Sequence, residues 1–117
     1  MSAAAEEMKA RLRVDLSNSM RARQSMEASV IRSLLAALDN AEALPVDRDR
    51  PESLQARFCD GSSEAERRIL SREDVDAVIG AEVRQRMNAA ADLERLGLED
   101  RAETLRHEAQ IAGRYAG

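Results

Sequence analysis

The chain has 117 residues, a net charge of −4 and only two aromatic residues, Phe58 and Tyr115. This length suits one domain with a modest core. No segment is strongly basic, which argues against a nucleic-acid binder that works through bulk electrostatics. The single cysteine, Cys59, excludes an internal disulfide, and no apolar run is long enough to cross a bilayer, so we expect a cytoplasmic protein.

The composition favours helices, because Ala, Leu, Glu and Arg are abundant while glycine, proline and aromatic residues are scarce. A first helix is predicted over residues 6–23. Its apolar residues lie four apart, namely Met8, Leu12, Leu16 and Met20. A second helix is predicted over residues 26–43, with Ser25 as its candidate N-cap.

The second helix carries the strongest apolar stripe in the sequence. The stripe repeats at spacings of three and four and consists of Val30, Ile31, Leu34, Leu35, Leu38 and Ala41. This is the period of an amphipathic helix. We therefore expect the second helix to form the centre of the core.

Residues 44–70 form a long charged connection, in which Pro45 and Pro51 interrupt any regular pattern. It contains four carboxylates that could be considered as metal ligands, namely Asp47, Asp49, Glu52 and Asp60. Their spacing lacks the glycine and the terminal glutamate of a calcium loop. We interpret them as solvated charge and predict no metal site.

A third helix is predicted over residues 72–96, opened by a capping box between Ser71 and Asp74. Its expected apolar stripe is Val75, Val78, Ile79, Val83, Met87, Ala90 and Leu93. Gly97 is expected to end it. A fourth helix, over residues 98–115, should turn Ala102, Leu105, Ala109 and Ala112 inward and form an antiparallel hairpin with the third. The predicted fold is thus all-α, one domain over residues 1–117 with four helices and a long loop between helices two and three.

The sequence shows no recognisable catalytic site. His107 is the only histidine and lies off the apolar stripe of its helix, and Cys59 lies in the long connection. A nucleophile needs a base and an orienting group beside it. Glycine-rich phosphate loops and zinc-ligand spacings are absent, so we predict no catalytic residue and no cofactor.

Five segments stand in the order and spacing of one known family. They are residues 12–23, 31–42, 70–75, 82–86 and 97–111. Together they resemble the N-terminal helical part of YqeY-like proteins (the GatB/YqeY domain). A relative would usually lack the acidic insert around residues 46–66 and would continue beyond the position of Gly117 into a second small helical subdomain.

The resemblance implies a noncatalytic helical module associated with tRNA or with the tRNA-dependent amidotransferase, an enzyme in which a related tail domain helps to hold tRNA. Arg84 and Arg86 match a basic pair of the family, and the implied role is contact with phosphates. Helical spacing places Lys9, Arg13 and Arg21 on a solvent-facing side, where they would add to this site.

The opposing interpretation of these basic residues is structural. Side chains one helical turn apart form ion pairs, so Glu82 is expected to pair with Arg86, and Asp15 with Arg11.

Two other functions stay open. The first is a protein-interaction or self-associating scaffold, for which four methionines supply an adaptable surface: Met8, Met20, Met26 and Met87. The second is the carbon–nitrogen ligase activity with glutamine as amido donor that the family label implies, for which only Cys59 and His107 are candidates. No membrane or small-molecule partner is predicted.

Overall fold

The computed structural model describes residues 3–43 and 68–117, and these two ranges form four helices without a strand. The helices are α1 (Ala4–Arg21), α2 (Ser25–Ala43), α3 (Arg72–Arg95) and α4 (Glu99–Gly113). The predicted all-α class is confirmed, and each predicted boundary lies within two residues of the observed one. No helix in the described ranges is both long and apolar enough to span a membrane.

The core forms around α2, as its apolar stripe predicts. Val30, Ile31, Leu34 and Leu38 are each at most 2% exposed. The other three helices and the segment before α3 contribute buried residues to the same cluster, among them Leu12, Leu70, Val75, Ile79, Ile111 and Tyr115. Burial of apolar surface in this cluster is the main force that holds the four helices together.

The turn between α1 and α2 is a Schellman motif. The Gln24 N–H donates to the Ser19 carbonyl at 2.9 Å and the Arg23 N–H donates to the Met20 carbonyl at 3.1 Å. Arg23 occupies the left-handed position that this motif requires, with φ of 59°. The predicted break between the helices is therefore confirmed.

The start of α2 differs from the prediction by one residue. Ser25 is the first helical residue, and the Ala28 N–H donates to the Gln24 carbonyl, which places Gln24 at the N-cap. The prediction of Ser25 as N-cap is wrong because the preceding turn, rather than a side-chain cap, sets where this helix begins.

The predicted start and end signals of α3 are both confirmed. Ser71 Oγ accepts from the Asp74 N–H, and the Ser71 N–H donates to the Asp74 carboxylate, each at 3.0 Å. This backbone hydrogen bond holds the pKa of Asp74 below its ordinary value. At the other end, Gly97 has φ of 78°, and the Leu98 N–H donates to the Leu93 carbonyl in a second Schellman motif.

Ion pairs between the two hairpin helices confirm that they run antiparallel. Arg86 pairs with Glu108, and Glu94 pairs with Arg106, so a later residue of α3 faces an earlier residue of α4.

Two methionines of the predicted apolar stripes are not buried. Met20 is 53% exposed and Met87 is 46% exposed. Periodicity indicates which side of a helix faces its partners, but it does not indicate how far along the helix those partners extend. Met20 lies in the last turn of α1, beyond the buried part of that stripe.

The predicted connection over 44–70 is described only at residues 68–70. The Arg68 N–H donates to the Glu42 carbonyl at 2.8 Å, so this connection leaves and rejoins the helices at neighbouring points. Cys59, the four loop carboxylates considered as metal ligands and the acidic insert lie outside the described residues.

Candidate nucleic-acid interface

Lys9 does not lie on the solvent-facing side of α1. It is 5% exposed, and it shares a helix face with the buried residues Ala5 and Leu12. Its Nζ lies 2.7 Å from Glu42 Oε1 and 3.3 Å from Asp39 Oδ1. The predicted surface position of Lys9 is therefore wrong, because Lys9 lies one helical turn from both Ala5 and Leu12 and faces the carboxylates at the end of α2.

The surroundings of Lys9 keep its ammonium charged. Burial alone would lower its pKa, but the hydrogen bonds to Glu42 and Asp39 outweigh burial and raise the pKa above the ordinary value. Glu6 adds a longer contact of 3.8 Å. Lys9 is thus a protonated cation whose charge is balanced by carboxylates within the protein.

Arg84 and Arg86 lie in different surroundings. The Arg86 guanidinium donates to Glu82 Oε1 at 2.9 Å and to Glu108 Oε1 at 3.3 Å, and its side chain is 14% exposed. The predicted pairing of Glu82 with Arg86 is confirmed. Arg84 is exposed and has no ion pair with any described residue.

The predicted pairing of Asp15 with Arg11 is wrong. The Asp15 carboxylate accepts a hydrogen bond of 2.5 Å from the Tyr115 hydroxyl. Arg11 lies over the Tyr115 ring, 4.6 Å from its centroid, and donates to the Arg114 carbonyl. Burial and the hydrogen bond to Asp15 raise the pKa of Tyr115 to about 12. Asp15 and Arg11 thus find their partners in Tyr115 and Arg114, about 100 residues later, which the spacing of residues within one helix does not predict.

Arg13 and Arg21 are exposed, as predicted, and neither forms an ion pair with a described residue. Both guanidinium groups are therefore available to an anion from solution.

Two further arginines that are unpaired among the described residues do not belong to the site predicted from the sequence. Arg23 and Arg32 line one concavity of about 300 Å³ beside the α1–α2 turn. Its remaining lining residues are Ser19, Met20, Gln24, Ser25 and Ala28. No carboxylate lies among them. A sequence signal does exist, since Glu27 is the only acidic residue between Asp15 and Asp39.

Glu27 does not neutralise these arginines. Its carboxylate accepts a hydrogen bond from Arg114 at 3.0 Å and another from the Ser19 hydroxyl at 3.4 Å. The segment 16–38 thus presents Arg21, Arg23 and Arg32 against one carboxylate that is already paired. The surface around the α1–α2 turn therefore carries more basic than acidic side chains, although the net charge of the chain is negative.

The described residues bring together no catalytic arrangement. His107 is exposed on α4. No group of three or more His, Cys, Asp or Glu residues in the described ranges is placed to hold a metal ion. A second concavity, of about 360 Å³, contains Asp15, Glu27, Arg114 and Tyr115, but their polar atoms already bond to one another.

No protein-family model, curated protein or solved structure matches this chain. The resemblance to YqeY-like proteins accordingly stays a prediction from the sequence.

Proposed function

We propose that this chain is a noncatalytic helical module that binds RNA, with tRNA as the expected partner, through arginines of α1 and α2. The observation that carries the proposal is a set of exposed arginines on α1, α2 and their turn that have no ion pair with a described residue, in a chain whose net charge is −4. They are Arg13, Arg21, Arg23 and Arg32. The resemblance to YqeY-like proteins supports tRNA as the partner.

Unpaired guanidinium groups suit phosphate recognition better than paired ones. A guanidinium presents N–H donors in a planar fork that matches two phosphate oxygens. Arg86 would first have to leave Glu82 and Glu108, whereas Arg13 and Arg21 have no such partner to lose among the described residues. Only one member of the Arg84–Arg86 pair that the family resemblance implies is unpaired among the described residues, whereas α1, α2 and their turn carry four such arginines, so the favoured interface lies on α1 and α2.

Phosphate contacts of this kind predict a marked dependence on salt. Four contacts would give a slope of about −3 in a plot of log binding constant against log salt concentration. We expect binding to be weak near physiological salt, because the rest of the surface is acidic and repels RNA.

The experiment is a titration of tRNA from about 20 mM to about 150 mM salt, with two double variants of equal charge. Arg13→Ala/Arg21→Ala should reduce affinity at low salt by about tenfold or more and flatten the salt dependence. The matched control, Arg84→Ala/Arg101→Ala, removes two exposed arginines from the α3–α4 hairpin that are likewise unpaired in the described ranges, and it should retain most of the affinity.

Absence of tRNA binding at any salt would overturn the proposed function. A larger loss in the hairpin variant would instead move the interface to α3 and α4.

A second candidate function, self-association or docking of a protein, is favoured by exposed apolar side chains. Leu96 at the α3–α4 turn is 72% exposed, and Met20 and Met87 are about half exposed. Sedimentation equilibrium at micromolar concentration tests it. A dimer that Leu96→Ser dissociates would support this candidate, and a monomer at all concentrations would count against self-association.

A further inference from the structure

We infer that the concavity between Arg23 and Arg32 is a phosphate-binding site, which takes one phosphate group together with the sugar attached to it. Its assignment to an RNA phosphate rests on the proposed function. The site itself rests on the geometry and charge of the α1–α2 turn.

The exposed side-chain donors of this concavity are unengaged among the described residues, whereas the buried Ser19 hydroxyl of its lining donates to Glu27. Arg23 belongs to the turn and Arg32 to the second turn of α2, so the two guanidinium groups reach the space from different elements. Within the described ranges neither forms an ion pair, and the Ser25 hydroxyl and the Gln24 carboxamide make no side-chain hydrogen bond. An incoming phosphate would therefore gain donors without displacing any of the described residues.

Two other arginine-lined concavities in the described part of the chain contain carboxylates as well. The concavity at Arg11 and Arg72 also includes Glu7 and Asp76. The one at Arg114 includes Asp15 and Glu27. The Arg23–Arg32 concavity has no carboxylate in its described lining, so both of its charged lining groups are cations.

Size and lining indicate more than an isolated anion. The volume of about 300 Å³ falls at the small end of ligand sites, which leaves room for a phosphate and its sugar. Met20 is 53% exposed and forms an apolar wall, against which a ribose can pack.

The backbone of Arg23 provides a variant that separates binding from folding. Its φ of 59° is favourable for glycine and unfavourable for a side chain. Arg23→Gly therefore removes the guanidinium and should raise, rather than lower, the melting temperature. Any loss of binding in this variant cannot be attributed to unfolding.

The test is a pair of titrations followed by NMR of the ¹⁵N-labelled chain, one with inorganic pyrophosphate and one with a short oligouridine RNA. We expect both ligands to shift the resonances of residues 23–32. Arg23→Gly and Arg32→Ala should each weaken both affinities by about tenfold, as expected for the loss of one charge-assisted contact. Arg101→Ala removes an exposed arginine of α4 that has no ion pair with a described residue, and it should change them by less than about twofold.

The outcomes separate the site from the proposed function. If pyrophosphate binds and depends on both arginines while the oligouridine does not bind, the phosphate site stands and its assignment to an RNA phosphate fails, and the tRNA titration decides the proposed function separately. If RNA binds and neither variant weakens it, the site is overturned while the RNA function stands.

A third titration, with a polyglutamate peptide, distinguishes an acidic protein partner. Tighter binding of this peptide than of pyrophosphate and RNA would overturn the phosphate assignment. So would the absence of binding by all three ligands.

Discussion

Lys9 shows how a charged residue becomes part of the core. Its ammonium lies 2.7 Å from Glu42, whose side chain is 10% exposed, so the pair joins α1 to the end of α2 in a largely dry environment. Desolvation of both charges is costly, and removal of Lys9 leaves the Glu42 carboxylate without its cation, whereas removal of Glu42 leaves Lys9 with Asp39 and Glu6.

Lys9→Met should therefore lower the free energy of unfolding by about 3 kcal/mol, because Glu42 keeps a buried charge without a partner. Lys9→Met/Glu42→Met should recover most of the loss. Urea denaturation measures both changes.

Arg13→Met is the control for Lys9→Met, since Arg13 is exposed on the same helix and unpaired among the described residues; it should change stability by less than about 0.5 kcal/mol. Equal losses in Lys9→Met and Arg13→Met would show that the buried pair has no special weight.

Tyr115 predicts a pH dependence at alkaline pH. Its pKa rises from the ordinary value of 10 to about 12, first because the phenol is buried and then because it donates to Asp15. A pKa that is higher in the folded state means that the protonated phenol favours folding. The stabilisation is fully present below pH 10 and is lost as the pH rises from 10 to about 12.

Tyr115→Phe keeps the ring beneath Arg11 but loses the hydrogen bond to Asp15. At pH 7 it should unfold more easily by about 1.5 kcal/mol. The difference between the two proteins should shrink toward pH 12, and Lys9, common to both, cancels in the comparison. A difference that stays constant from pH 7 to pH 12 would exclude this role of the hydroxyl.

At the scale of elements, the two helix-ending turns share one backbone geometry but differ in sequence. Gly97 ends α3 with φ of 78°, and Arg23 follows α1 with φ of 59°. The left-handed conformation crowds a Cβ atom against the backbone, so glycine is the better residue at both positions.

Arg23→Gly should raise the free energy of unfolding by about 1 kcal/mol, and Gly97→Ala should lower it by a similar amount. Because no described atom lies within 4 Å of the Cβ that Gly97→Ala would add, its cost comes from the backbone alone. Thermal unfolding followed by circular dichroism tests the pair. Changes of the same sign in both variants would contradict the shared geometry.

Across all described residues, the four helices pack on one core, and the end of α2 lies beside the segment that leads into α3. The Glu42 carbonyl and the Arg68 N–H are hydrogen-bonded, so a short linker can join the two sides. The core cluster, from Ala5 to Tyr115, draws its members from all four helices, from Leu70 before α3 and from Tyr115 after α4.

Replacement of residues 45–66 by about six Gly and Ser residues should preserve the helices and raise the free energy of unfolding by about 1 kcal/mol, because a shorter loop costs less entropy to close. Circular dichroism and urea denaturation measure the result. Loss of cooperative unfolding would mean that the replaced residues contribute to the core.

The sequence alone determined the features that depend on near neighbours. The α2 stripe from Val30 to Leu38, the Ser71–Asp74 capping box and the stop at Gly97 each involve residues a few positions apart, and all three are observed. Local sterics and helix periodicity suffice for such signals. They predicted four helices and their hairpin, although Ser25 was wrongly assigned as an N-cap.

Helix packing determines which of the basic residues have a carboxylate partner among the described residues. Lys9 and Arg86 match the basic pattern as well as Arg13 does, but carboxylates 33 and 22 residues away neutralise them. Tyr115 reaches Asp15 across 100 residues, and the α1–α2 turn brings Arg23 and Arg32 to one concavity. The sequence shows which side chains are charged, but the ion-pair partner and the exposure of each charged side chain depend on how the helices pack. The candidate site therefore became visible only in the folded chain.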